Sequence, residues 1–139
     1  MTAGSLLLDT CTAMWVMDND WLRQEAVDAI DQAADRGENI FVSPITAWEV
    51  GNLARRGRFR SSYSPQRWLA ALQSRPGIAF AKMPPHLLME SALLPGDLNL
   101  DPGDRVVVAT AREYGFTVLT RDADILRYAR AGHMSAIEC

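Results

Sequence analysis

Phe116-Thr117-Val118-Leu119-Thr120-Arg121-Asp122 is the stretch on which the reading of the fold turns. Its first four residues carry no charge, are rich in β-branched and aromatic types, and read as a short buried strand that ends at Thr120. Gly115 precedes it and closes a helix-patterned segment that opens at Asp101-Pro102-Gly103-Asp104 and runs through Val106-Val107-Val108-Ala109 to about Tyr114. A further short helix, roughly Ala123 to Ala131, follows. Helix, strand and helix in close succession point to an α/β domain with a mostly parallel sheet, its strands covered on both faces.

The same grammar extends toward the amino end. Leu6-Leu7-Leu8 is a continuous apolar run cut by Asp9, as expected of a buried strand. From Thr12 to Arg36 the pattern turns helical, with Trp21, Leu22, Ala26, Ala29, Ile30 and Ala33 at spacings of three and four. Asp20 is expected to cap the longer helix there and Gly37 to stop it. Ile40-Phe41-Val42 and Ile78-Ala79-Phe80 are two more strands, and Ile137 sits in a last edge strand. Ser43-Pro44 and Ser64-Pro65 each open a helix, the first carrying Ile45, Trp48, Leu53 and Ala54 and ending near Gly57, the second carrying Trp68, Leu69 and Leu72. Residues 84–94 are helical, and Leu94-Pro95-Gly96-Asp97 is a loop. The expected architecture is a single α/β domain over residues 1–139 with a mostly parallel central sheet, with no repeat and no linker.

Composition excludes several function classes. Cys11 and Cys139 lie at opposite ends of the 139 residues, and His86 and His133 also stand alone, so no His/Cys metal site or redox motif is spelled out. Unpaired thiols suit a reducing cytoplasm. The first apolar run has no basic segment before it, and no uninterrupted stretch is long enough to cross a membrane, so neither a secretion signal nor a span is expected. The net charge of −3 argues against a protein that coats nucleic acid through bulk charge, but not against an enzyme that holds a short piece of it.

The informative residues are acids. In an open parallel sheet, ligands bind beyond the carboxyl ends of the strands. Asp9 directly follows one strand and Asp122 follows another by two residues. The plainer reading of each is a loop aspartate that caps the next helix; their coincidence at strand ends points to a site. Glu49 shares a helix face with Ile45 and Leu53, and Trp48 widens that apolar stripe, so its carboxylate loses solvation unless it gains a cation or hydrogen bonds. Asp104 stands three residues after Asp101, as a cap and first-turn acid would, at the start of a helix anchored by Val106-Val107-Val108. Acids gathered in one place need positive charge among them, and oxygen ligands suit Mg2+ or Mn2+ rather than zinc. No serine or cysteine has a histidine partner suggested by the sequence, and no glycine-rich phosphate loop follows the first strand.

Four stretches together resemble the PIN-domain family, and within it the VapC-type toxins of bacterial toxin–antitoxin pairs. They are Leu7-Leu8-Asp9-Thr10, Ser43-Pro44-Ile45-Thr46-Ala47-Trp48-Glu49, Asp101-Pro102-Gly103-Asp104-Arg105 and Leu119-Thr120-Arg121-Asp122, and the likeness spans Leu6 to about Tyr128. Cys11 and Asn99 stand where many relatives have histidine. The resemblance implies a three-layer α/β/α domain, endonucleolytic cleavage of RNA with Mg2+ or Mn2+ held by Asp9, Glu49, Asp104 and Asp122, a homodimer, and a cognate antitoxin partner. Thr120 is then the hydroxyl partner of Asp122 or of a metal-bound water, and Arg105 pairs with a neighbouring acid or touches phosphate.

RNA approaching an acidic pocket calls for local positive charge. Arg55-Arg56-Gly57-Arg58-Phe59-Arg60 offers it: Arg56, Arg58 and Arg60 are expected on phosphate and Phe59 on a base, against the alternative of a solvated helix end. Met14, Trp15, Met17 and Trp21 are core residues or, alternatively, part of a dimer or antitoxin surface. Competing functions are an RNA-processing nuclease that is not a toxin, and a non-catalytic domain binding RNA or protein. A phosphatase of the haloacid dehalogenase type also places Asp after its first strand, but needs a second Asp where Cys11 stands.

Overall fold

The structure is a computed structural model that describes residues 4–96 and 98–139. Residues 1–3 lie outside the described residues, as does Asp97, the end of the expected loop 94–97. The elements in chain order are β1 (Leu6–Leu8), α1 (Thr10–Met17), α2 (Gln24–Asp35), β2 (Ile40–Val42), α3 (Ile45–Arg55), α4 (Pro65–Ser74), β3 (Ile78–Phe80), α5 (Pro85–Ala92), α6 (Pro102–Tyr114), β4 (Thr117–Thr120), α7 (Ala123–Arg130) and β5 (Ser135–Glu138).

The five strands form one sheet in the order β3-β2-β1-β4-β5, and every pairing is parallel. The chain builds β2 and β3 on one side of β1, then returns to lay β4 and β5 on the other. The boundary between β1 and β4 is therefore the point where the strand order reverses, the usual place for a ligand crevice.

Alternation along β1 sorts the core into two layers. Leu6 and Leu8 join Ala13, Leu22, Ala26, Val42, Val50, Trp68 and Leu72 on one face of the sheet. Leu7 points the other way and packs with Val107, Ala111 and Val118, which seats α6 on that face. Phe41 and Phe116 stack there with ring centroids 4.7 Å apart. This is the expected three-layer α/β/α arrangement. Among the described residues no helix is long and apolar enough to cross a membrane.

The amino-terminal helical region differs from the expectation. It is two helices, and Asp20 caps neither. The second begins after Arg23, which makes no side-chain cap. Asp20 instead donates its backbone N–H to the carbonyl of Trp15 at 2.9 Å in the turn that closes α1. Gly37 does end the second helix, with φ at 68°, a conformation that costs glycine little.

Candidate active site

The pairing of β1 with β4 sets Leu8 opposite Leu119, so the chain leaves both strands at the same edge of the sheet. Asp9 and Thr120 come next, and both are buried, with exposures of 6% and 0%. The Thr120 hydroxyl donates to Oδ2 of Asp9 at 2.5 Å and accepts from the backbone N–H of Asp122 at 3.0 Å. Oδ1 of Asp9 accepts from the Thr12 N–H at 2.9 Å, capping α1. Asp122 caps α7 by accepting from the N–H groups of Asp124 and Ile125 at 2.9 and 3.0 Å. Both capping roles foreseen for these acids are real, and both acids line the cavity as well.

Glu49 arrives from α3. Its Oε1 accepts the Thr10 hydroxyl at 2.5 Å, and Thr10 is itself 3.1 Å from the Thr46 hydroxyl. Thr10 immediately follows Asp9, so this contact ties α3 to the end of β1. The carboxylate of Glu49 fills the space left by the missing side chain of Gly103 on α6. That close approach brings Asp101 and Asp104 alongside: carboxylate oxygens of Glu49, Asp101 and Asp104 all lie within 4.8 Å of one another. Asp101 also caps α6, accepting from the Asp104 N–H at 2.9 Å.

These five acids line one open cavity of about 550 Å³, together with Thr10, Cys11, Trp15, Trp48, Asn52, Leu53, Arg56 and Arg121. Among the described residues, none of the five takes part in an ion pair. Their mutual repulsion and enclosure show in the proton affinities. Desolvation raises the Asp104 carboxyl to about 8, helped by the charges of Asp101, Asp122, Glu49 and Asp9. Glu49 is raised by burial, with the Thr10 hydrogen bond opposing, and Asp101 and Asp9 adding to the rise. Asp9 is raised by burial against the hydrogen bonds from Thr12 and Thr120. The Cys11 thiol is pushed up to about 11 by desolvation and by the surrounding acids, so it stays protonated and weakly nucleophilic. A set of oxygen donors with uncompensated negative charge fits a hard divalent cation such as Mg2+ or Mn2+.

The expected substrate contacts divide. Arg56 lines the cavity, whereas Arg58 and Arg60 are exposed outside its lining. Phe59, assigned to a base, instead meets Trp68 edge-on with ring centroids 6.1 Å apart and packs against the core. The cause is Gly57, whose φ of 68° turns the chain back so that the Arg58 N–H bonds the Leu53 carbonyl at 2.8 Å. Arg105 pairs with no acid among the described residues. Its guanidinium donates to the carbonyls of Ser91 and Leu98 at 3.4 and 3.3 Å, away from the cavity lining, and holds the loop before α6.

Several residues that line the cavity had no site role in the sequence reading. Thr10 and Asp101 stood inside quoted motifs without a role there beyond a possible cap. Trp48, read as part of an apolar stripe, is 55% exposed at the cavity. Arg121 lies 3.8 Å over the Trp15 ring and donates to the Trp21 carbonyl at 2.6 Å, which fixes a cation beside the acids. Met14, Trp15 and Met17 pack against the core, while Trp21 is 75% exposed.

The PIN domain family model matches residues 6–131. The ribonuclease VapC22 of Mycobacterium tuberculosis is 27% identical over 118 residues, covering 85% of this chain and 87% of its own. Among solved structures, VapBC2 from Rickettsia felis bound to a DNA fragment from their promoter aligns with a TM-score of 0.63 at 12% identity, over 96% of this chain and 97% of that one. DNA-bound VapBC from Salmonella typhimurium aligns with a TM-score of 0.61 at 18% identity, with the same coverage.

Proposed function

The chain belongs to the PIN domain family, and from that premise we propose that it is a Mg2+- or Mn2+-dependent endoribonuclease, the toxin of a toxin–antitoxin pair. One observation carries the metal-dependent part: Asp9, Glu49, Asp101, Asp104 and Asp122 line a single cavity with no paired cation among the described residues. Asp9, Glu49, Asp104 and Asp122 are the ligands in this reading, and Asp101 joins them through its closeness to Glu49 and Asp104.

Asp9, Glu49, Asp104 and Asp122 would hold a divalent ion, which would activate a water and offset charge on the phosphate and the leaving oxygen. The chain's own contribution is to hold the donors still. Asp9 is locked between Thr12 and Thr120, Glu49 is oriented by Thr10, and Asp122 is fixed by the start of α7. Fixed carboxylates have little rotamer freedom left to lose when they engage a ligand. Arg56 and Arg121 supply the positive charge that an RNA phosphate needs beside an acidic pocket.

The toxin assignment rests on the likeness to VapC22 and on the shared fold with chains of VapBC assemblies. It brings with it an antitoxin protein partner, a cytoplasmic setting and a homodimer.

Purified protein incubated with RNA is expected to cut internally in the presence of Mg2+ or Mn2+ and to stop on adding EDTA. Asp104→Asn and Asp9→Asn are expected to abolish cutting with circular dichroism unchanged. A folded Asp9→Asn variant that cuts at the parent rate would refute the metal-centre reading.

A further inference from the structure

Resting on the nuclease reading above, we infer that Trp48, Asn52 and Arg56 form a subsite for an unpaired RNA nucleotide, in which Trp48 stacks on the base next to the cut. The three residues recur at i, i+4 and i+8 on α3 and its carboxyl end, and all three line the cavity. At about 100° per residue they keep to an arc of roughly 80° over about 12 Å of helix. Glu49 is the immediate neighbour of Trp48, so the stripe begins at the acid cluster and leads away from it.

The chemistry changes along the stripe in the order a strand would meet it. Trp48 presents an indole that is 55% exposed and belongs to no core cluster among the described residues. Keeping that much aromatic surface in water gains nothing for the fold. Asn52 offers an amide, with its oxygen 3.4 Å from an Arg55 nitrogen. Arg56 ends the stripe with a cation free of ion pairs among the described residues.

An aromatic face, an amide and a cation in sequence match a base, a base edge and a phosphate. The face of a base is available for stacking only where the base is unpaired, which names a single strand rather than a duplex. A protein segment is the competing occupant. The cation at the far end and the second fixed cation, Arg121, at the same cavity favour the polyanion.

The test uses the full chain in an Asp104→Asn background to read binding without cutting, and the parent to read cutting. The probe is an unstructured, end-labelled RNA oligonucleotide, with the same sequence as a duplex for comparison. Trp48→Ala is expected to weaken oligonucleotide binding about tenfold or more, to raise KM with kcat within about twofold, and to broaden the base preference beside the cut. Trp48→Phe should restore most of the affinity, and the duplex should bind poorly.

Unchanged affinity, KM and cut-site preference in a folded Trp48→Ala variant would overturn the inference while leaving the nuclease reading intact. Binding through Trp48 with no cutting by the parent would overturn the nuclease reading and, with it, the placement of the base beside a cut. Loss of antitoxin capture alone, with RNA binding unaltered, would also overturn it and assign Trp48 to a protein interface.

Discussion

Gly103 and Glu49 stand so close that a Cβ at position 103 would lie 2.5 Å from the carboxyl carbon and from one oxygen of Glu49. The neighbour is the far end of a flexible side chain, so the helix can accept alanine if Glu49 moves away. Alanine at this first-turn position also leaves the unfolded chain less backbone freedom than glycine does. Gly103→Ala is therefore expected to leave the melting temperature unchanged or raised, and to reduce RNA cleavage by roughly 10- to 100-fold through a displaced ligand. A large fall in melting temperature with activity retained would contradict the assignment of Glu49.

Asp104 sets a pH dependence. An unfolded chain releases this proton near pH 4, and the folded chain holds it to about 8. Between those values the folded state binds more protons, so its stability falls as pH rises through that window. Without divalent ions, the melting temperature should drop between about pH 4 and pH 8. The rise given by Mg2+ should be larger near pH 8.5 than near pH 6, because the ion competes with protons for the same oxygens. Asp104→Asn should flatten both trends in a thermal-shift titration.

Much of this could be read from one dimension, and the limits are physical. Apolar runs at 6–8, 40–42, 78–80 and 117–120 gave away the strands, because a strand covered on both faces admits little else. Asp9 and Asp122 were legible because they follow such runs. Asp101 was visible only as a cap, since nothing local reveals that Gly103 lets Glu49 come within reach. Phe59 packs on the core while Trp48 is exposed at the cavity, the reverse of what was expected: helical spacing groups residues by face but does not say which face meets the core. Asp20 failed as a cap because Asn19, with φ at 54°, belongs to a turn that continues to Arg23 before the next helix starts.

Thr120 bridges two of the acids with one buried hydroxyl. Thr120→Val keeps the shape but leaves Asp9 Oδ2 and the Asp122 N–H without that partner. The expected cost is about 1–3 kcal/mol of stability, read from denaturant midpoints, together with a clear loss of cleavage. Thr120→Ser should recover most of both.

Arg56 and its neighbours can be separated by salt. Arg56→Ala should weaken binding of RNA and lower the slope of log affinity against log salt by about 1. Arg58→Ala and Arg60→Ala should change that slope less, since neither lines the cavity. Equal effects from all three would mean a diffuse basic surface in place of a site.

Arg105→Ala tests a structural role. Removing its hydrogen bonds to the Ser91 and Leu98 carbonyls should lower the melting temperature by several degrees and leave the salt slope of RNA binding unchanged.

Asp9, Asp101 and Asp122 each cap a helix, so α1, α6 and α7 all begin at one spot. Each start carries a fractional positive charge from its unsatisfied amides. The backbone thus lends the acids some of the counter-charge that an ion would otherwise have to bring. Folding need not wait for loading: under the metal-dependent function proposed above, a cell short of divalent ions would accumulate a finished but silent protein, armed when the ion arrives and disarmed when it leaves.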